Sequence, residues 1–193
     1  VHSFEIAPAT YVKLTKNVSS QRAKLNNFGL SDQEGTLELH YNADDDGSSS
    51  LIEGGNIHQG IWQKTAVKVT SGDEYCDQHL IRSIDLLKID VEGAEHLVLK
   101  GFENRFEKGL VSAVQFEFGM VNIYSKFLLK DFWEFFSSRD FILGPVMPNG
   151  VEFKDYNTRD ENFQGPPNFL AVHKSKPAVI ELVSRKGSRT RPR

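Results

Sequence analysis

Apolar and polar positions along the chain alternate between two periods. Residues 1–4 form a short apolar-led run that ends at the acidic Glu5, the pattern of a brief strand. Pro8 follows at a position suited to a first helical turn, because its fixed φ matches the helix and its missing N–H is not needed there. Tyr11, Leu14 and Val18 then recur at helical spacing, with Lys13 and Lys16 on the opposite face. Residues 25–30 predict a second strand and residues 31–35 a turn. In residues 36–41 Leu37, Leu39 and Tyr41 alternate with Glu38 and His40, as in a half-buried strand. Residues 42–50 predict a polar loop and residues 66–69 a further strand.

Residues 84–89 are apolar apart from Asp85 and Lys88, the pattern of a parallel strand buried on both faces. A helix is predicted over residues 94–100, with Gly101 at its end. Residues 111–118 give another buried strand. Leu129, Phe132, Trp133 and Phe136 fall at i, i+3, i+4 and i+7, which marks an amphipathic helix. Residues 141–143 and 168–173 read as closing strands without a helix between them, so a hairpin there places an antiparallel strand at the edge. Strands alternating with helices predict an α/β fold, a mostly parallel sheet covered on both faces. Residues 1–176 form the predicted domain, and residues 177–193 a basic, disordered tail.

A chain of 193 residues supports one such domain. The formal charge of −3 gives no electrostatic case for nucleic acid. No apolar run reaches the roughly 18 residues of a membrane span, and no signal-peptide pattern opens the chain, so a cytoplasmic location is expected. The lone Cys76 reads as a free, partly buried thiol. Residue 1 is Val rather than Met, which predicts a processed, excised or fragmentary chain.

Carboxylates cluster where chemistry is expected. In open α/β sheets ligands bind at the carboxyl ends of the strands, and Glu5, Asp90, Glu92 and Glu117 all stand at such ends. Glu5 has the placement of a carboxylate that accepts from ribose hydroxyls, which suits an adenosine cofactor without choosing one. Asp90 and Glu92 flank Val91 as the strand leaves the sheet, and Gly93 permits a sharp entry to the helix. Carboxylates there serve as general base, as holder of a substrate hydroxyl, or as ligands of a divalent cation. Glu95 reads as a helix N-terminal cap. Asp44-Asp45-Asp46 reads as a solvated loop, the Asn17-Val18-Ser19 sequon as unused, and His58 and His96 as ordinary histidines. Phe132, Trp133, Phe135 and Phe136 read as core.

The segment LKIDVEGAEHLVLKG (residues 87–101) resembles the signature of the FkbM-type methyltransferases. VHSFEIAPATYVKLTKNV (residues 1–18) is similar to that family's second strand and following helix. NFGLSDQEGTLELHY (residues 27–41) is similar to its third strand and the segment after it, and VQFEFG (residues 114–119) with LKDFWEFF (residues 129–136) to its fifth strand and downstream helix. The resemblance covers residues 1 to about 173 and implies a Rossmann-like class I fold using S-adenosylmethionine. It also implies O-methylation of a sugar or small-molecule hydroxyl. Glu5 would then bind the ribose, and Ser31 and Asp32 would lie near the adenine. Asp90 and Glu92 would face the methyl group, and Glu117 would approach the acceptor.

The family's first strand and its Gly-rich turn have no counterpart before Val1. That strand normally lies between those carrying Glu5 and Asp90, so a preceding segment or a second chain is expected to supply it. Two other readings stay open: a degenerate, non-catalytic scaffold domain, and a nicotinamide-dependent enzyme, against which the absence of a GxGxxG fingerprint counts.

Overall fold

The computed structural model describes residues 1–42, 45–52 and 62–185. Asp44, Gly54, Gly55, His58 and the basic tail beyond residue 185 lie outside them. Strand β1 (His2–Phe4) leads through helix α1 (Pro8–Asn17) to β2 (Lys24–Asn26), and the two strands pair in parallel. The helix starts at Pro8, as its sequence predicts. Strand β3 (Gly29–Ser31) is followed by β4 (Gly35–Asn42), β5 (Asp45–Ser50) and β6 (Trp62–Ser71), which form a four-stranded sheet ordered β3-β6-β4-β5. Only the β3–β6 pair in it is parallel.

Helix α2 (Gly72–Gln78) opens on Ser71, whose hydroxyl accepts from the Glu74 N–H at 3.2 Å. That bond satisfies one of the amides a helix start leaves open. Then come β7 (Leu87–Ile89), α3 (Glu95–Gly101), α4 (Glu103–Glu107), β8 (Ala113–Glu117), α5 (Asn122–Ser125) and α6 (Leu129–Ser137). Strands β9 (Phe141–Met147), β10 (Gly150–Val151) and β11 (Asn168–His173), and helix α7 (Pro177–Val183), complete the described chain. A five-stranded sheet runs β10-β9-β11-β8-β7.

The main core gathers residues of this sheet with those of α2, α3, α4 and α6. Leu129, Phe132, Trp133 and Phe136 turn inward from the helix. Phe132 stacks on Phe116 of β8 with ring centroids 4.3 Å apart, and Phe169 of β11 stacks on the same ring at 5.6 Å. Each such ring, buried and stacked, stabilises the fold by about 2–3 kcal/mol. Cys76 is free and buried in this core, and burial pushes its thiol pKa up.

The fold is mixed α/β, and six of the sequence expectations need correction. The sheet is not mostly parallel: in the five-stranded sheet only β7 and β8 run parallel. β11 is not an edge strand but lies between β8 and β9, antiparallel to both. Its Phe169, Ala171 and Val172 are all buried, and a strand buried on both faces belongs inside a sheet. Residues 25–30 form two strands in different sheets, broken where Asn26 Nδ2 donates to the Ser3 carbonyl and Asn27 Nδ2 to the Glu5 carbonyl, each at 2.9 Å. The expected loop at residues 42–50 contains β5, paired antiparallel to β4.

The chain also keeps its order past residue 176. Pro177 starts α7, Ser184 bridges to Val151, and the Arg185 N–H donates to the Val151 carbonyl. Finally, β7 is shorter than the apolar run that predicted it, and Leu86 beside it is 56% exposed. Among the described residues β7 pairs with β8 alone and β1 with β2 alone.

Candidate active site

The parallel pairing of β7 with β8 sets Ile89 opposite Phe116. The next residue along each strand is a carboxylic acid, so Asp90 and Glu117 leave the sheet side by side. They share a hydrogen bond. Burial, then the Asp90 charge, then that bond hold the Glu117 carboxyl above the usual carboxylate range. On its other side Asp90 Oδ2 accepts from Lys88 Nζ at 2.7 Å. The result is a lysine and two carboxyls in a line, half open to solvent, at the carboxyl edge of the sheet where α/β folds bind ligands.

Glu92 stands two residues on, in a tight turn. Its φ is +51 and that of Gly93 is +97, both left-handed. The Ser50 hydroxyl donates to the Glu92 carbonyl at 2.7 Å. Gly93 has no room for a side chain, because a Cβ there would lie 2.5 Å from Val121 Cγ1. The turn is thereby wedged between the end of β5 and the segment leading into α5.

The other predicted site residues sit elsewhere. Ser31 ends β3, is buried, and donates from its hydroxyl to Asp32 Oδ1 at 3.3 Å. Asp32 pairs with Lys100 Nζ at 3.0 Å, and that hydrogen bond holds its carboxyl below the usual range. Its partner lies on α3, so Asp32 ties β3 to the helix that follows the Glu92 turn. Gly101, at the end of α3, approaches β3 so closely that a Cβ would fall 2.0 Å from the Ser31 carbonyl oxygen. Glu5 follows β1, and its Oε1 accepts from the Ala7 N–H at 2.8 Å at the start of α1. Its own N–H donates to the Asn26 carbonyl. Of the predicted residues, then, Asp90 and Glu117 come into direct contact and Glu92 adjoins them through the turn. Glu5 belongs to a separate sheet.

Methyltransferase FkbM domains share a sequence pattern that matches residues 1–143 of this chain. The chain belongs to that family. No curated protein and no solved structure matches it.

An FkbM methyltransferase implies a methyl donor. The Glu5 carboxylate that accepts from the Ala7 N–H offers about four acceptor positions in all.

The sequence predicts a helix cap for Glu95, but the side chain lies elsewhere. It is 2% exposed, and its Oε1 accepts from the N–H groups of Val91 and Gly93, which precede the helix. A Glu two residues after the turn glycine was the available signal, but a cap needs the same spacing. His96 is half-buried and stacked on Phe127 at 5.3 Å, and burial lowers its pKa. That is the environment of a packed histidine.

Proposed function

We propose that this chain is an S-adenosylmethionine-dependent O-methyltransferase acting on a hydroxyl of a sugar or other small molecule, in the cytoplasm. The observation that carries this reading is the Asp90–Glu117 carboxyl pair beside the Glu92 turn. The cofactor, when bound, supplies a methyl group already activated on a sulfonium. What remains for the protein is to align the acceptor oxygen and take its proton.

Asp90 is the general base. It accepts the acceptor's hydroxyl proton as the oxygen forms its new bond. Lys88 steadies the carboxylate on the far side, and Glu117, which keeps its proton to higher pH than an ordinary glutamate, donates a hydrogen bond to Asp90 and orients it. Glu92 is the second acceptor contact. Glu5 takes the ribose hydroxyls, and Ser31 with Asp32 borders the adenine.

The methionine end of the cofactor needs a backbone cradle. We assign it to a strand between β1 and β7, supplied by a preceding segment or by a second chain. Each of these strands pairs on one side only among the described residues, which supports that assignment.

Titration calorimetry with S-adenosylhomocysteine tests the proposal, using this chain and a form extended upstream through one more strand. Binding by the extended form is expected. Binding by neither form would favour a degenerate scaffold domain and end the methyltransferase reading.

A further inference from the structure

The mechanism above makes no use of Glu95, yet this side chain is the most deeply buried acid in the described structure. Its Oε1 accepts from the Val91 N–H at 3.3 Å and from the Gly93 N–H at 3.2 Å. Those two amides bracket Glu92, the residue with φ at +51, and the second belongs to Gly93 at +97. Left-handed backbone at a non-glycine residue is costly and persists only where its surroundings hold it. An N-terminal cap would accept from the first turn of its helix. Glu95 reaches backward instead, to amides that precede α3.

The arrangement is a poor way to stabilise a fold. Oε2 of Glu95 meets no hydrogen-bond partner among the described residues. Burial raises the carboxyl pKa to about 7, and the nearby Glu92 charge adds to that rise. A buried acid with an idle oxygen is commonly matched or bettered in stability by an apolar side chain of similar size. What an apolar side chain lacks is an acceptor for the two turn amides.

We propose that Glu95 is a positioning residue of this site: by holding the Val91 and Gly93 amides on one oxygen, it fixes the turn that sets Asp90 against Glu117 and presents Glu92. The catalytic consequence rests on the proposed function, whereas the structural part does not.

The test is residue-resolved amide hydrogen exchange on the full chain, comparing the parent with Glu95→Gln and Glu95→Met. Gln keeps an acceptor oxygen, so the amides of Val91 and Gly93 should exchange within about threefold of the parent rate. Met has similar length and no comparable acceptor, so those two amides should exchange at least about tenfold faster, while Val114 and Phe116 in β8 stay unchanged. Protection lost in the Gln variant overturns the proposal by itself, even if the Met variant does not fold. Protection kept in the Met variant overturns it equally. In a methyl-transfer assay, Met should lower kcat about tenfold or more with little change in acceptor KM. A chain that transfers no methyl group at all would count against the proposed function, and the exchange result would still decide the role of Glu95.

Discussion

Glu117 hydrogen-bonds Asp90 where β8 and β7 end side by side, and the same Asp90 accepts from Lys88 at 2.7 Å. Two carboxyls this close do not both ionise readily, because each charge opposes the other. Burial and the Asp90 charge favour the neutral form of Glu117. Environment therefore sets the two carboxyls apart: Asp90 beside the lysine, Glu117 as the more readily protonated neighbour. Parallel pairing of two short strands is what produces the pair, since the register sets Ile89 opposite Phe116 and the next residue after each is an acid.

Asp90→Asn removes the proposed base and keeps its shape. Turnover should fall by about 10²–10⁴-fold, the usual contribution of a positioned base, while affinity for S-adenosylhomocysteine changes by less than about threefold. Kinetics and calorimetry on one preparation check both halves. An Asn variant with full turnover would remove Asp90 from the mechanism.

The pH profile follows from Glu117. Its proton leaves at a higher pH than that of an ordinary glutamate. Above that point Glu117 no longer donates to Asp90 and sets a second charge against it, so kcat/KM should fall on the alkaline side, at a pH above the ordinary carboxylate range. Glu117→Gln keeps a hydrogen-bond donor and cannot titrate. That alkaline fall should then disappear. A profile identical in the two proteins would show that Glu117 plays no part.

Much of this was legible in the sequence, and the reasons differ between fold and site. Local periodicity located α1, α6, β8 and β11, because each needs only an apolar face or run. The LKIDVEGAE segment located the site, since Asp90, Glu92 and Glu95 all lie within it. The position of β11 was not legible: a hairpin and an interleaved strand share the same local pattern, and long-range burial of Phe169 and Ala171 decides between them. The break after Asn26 depends on side-chain bonds to Ser3 and Glu5, more than twenty residues away. Glu95 was misread because a cap and a turn clamp occupy the same place in the sequence and differ only in which amides they reach.

Gly101→Ala probes the contact that joins α3 to β3. The added methyl would lie 2.0 Å from the Ser31 carbonyl oxygen and 3.2 Å from the Gly72 nitrogen. Both are backbone atoms, so helix and strand must separate. Urea denaturation should show a loss of about 1–3 kcal/mol, the range for overpacking a close contact. The Asp32–Lys100 pair spans the same junction and holds the Asp32 carboxyl pKa down, so that pKa should rise as the stability falls. Unchanged stability would mean that the junction yields freely and does not fix α3.

Glu95 gives the last prediction, and its sign is definite. The carboxyl has a folded pKa of about 7 against an ordinary value of 4.5, because burial disfavours its charge. A pKa raised by folding means that the native state binds the proton more tightly. The associated stability is fully present below about pH 4.5 and is lost as pH rises through about 7. Over that interval the loss is at most about 3 kcal/mol, from about 1.4 kcal/mol per pKa unit. Glu95→Gln carries a permanently neutral group and has no such titration. Denaturation at pH 5 and at pH 8 should therefore show the parent losing about 1–3 kcal/mol relative to the Gln variant, while all other titrating groups cancel in the difference. Parallel pH profiles for the two proteins would mean that Glu95 is ionised throughout, with a partner for its second oxygen.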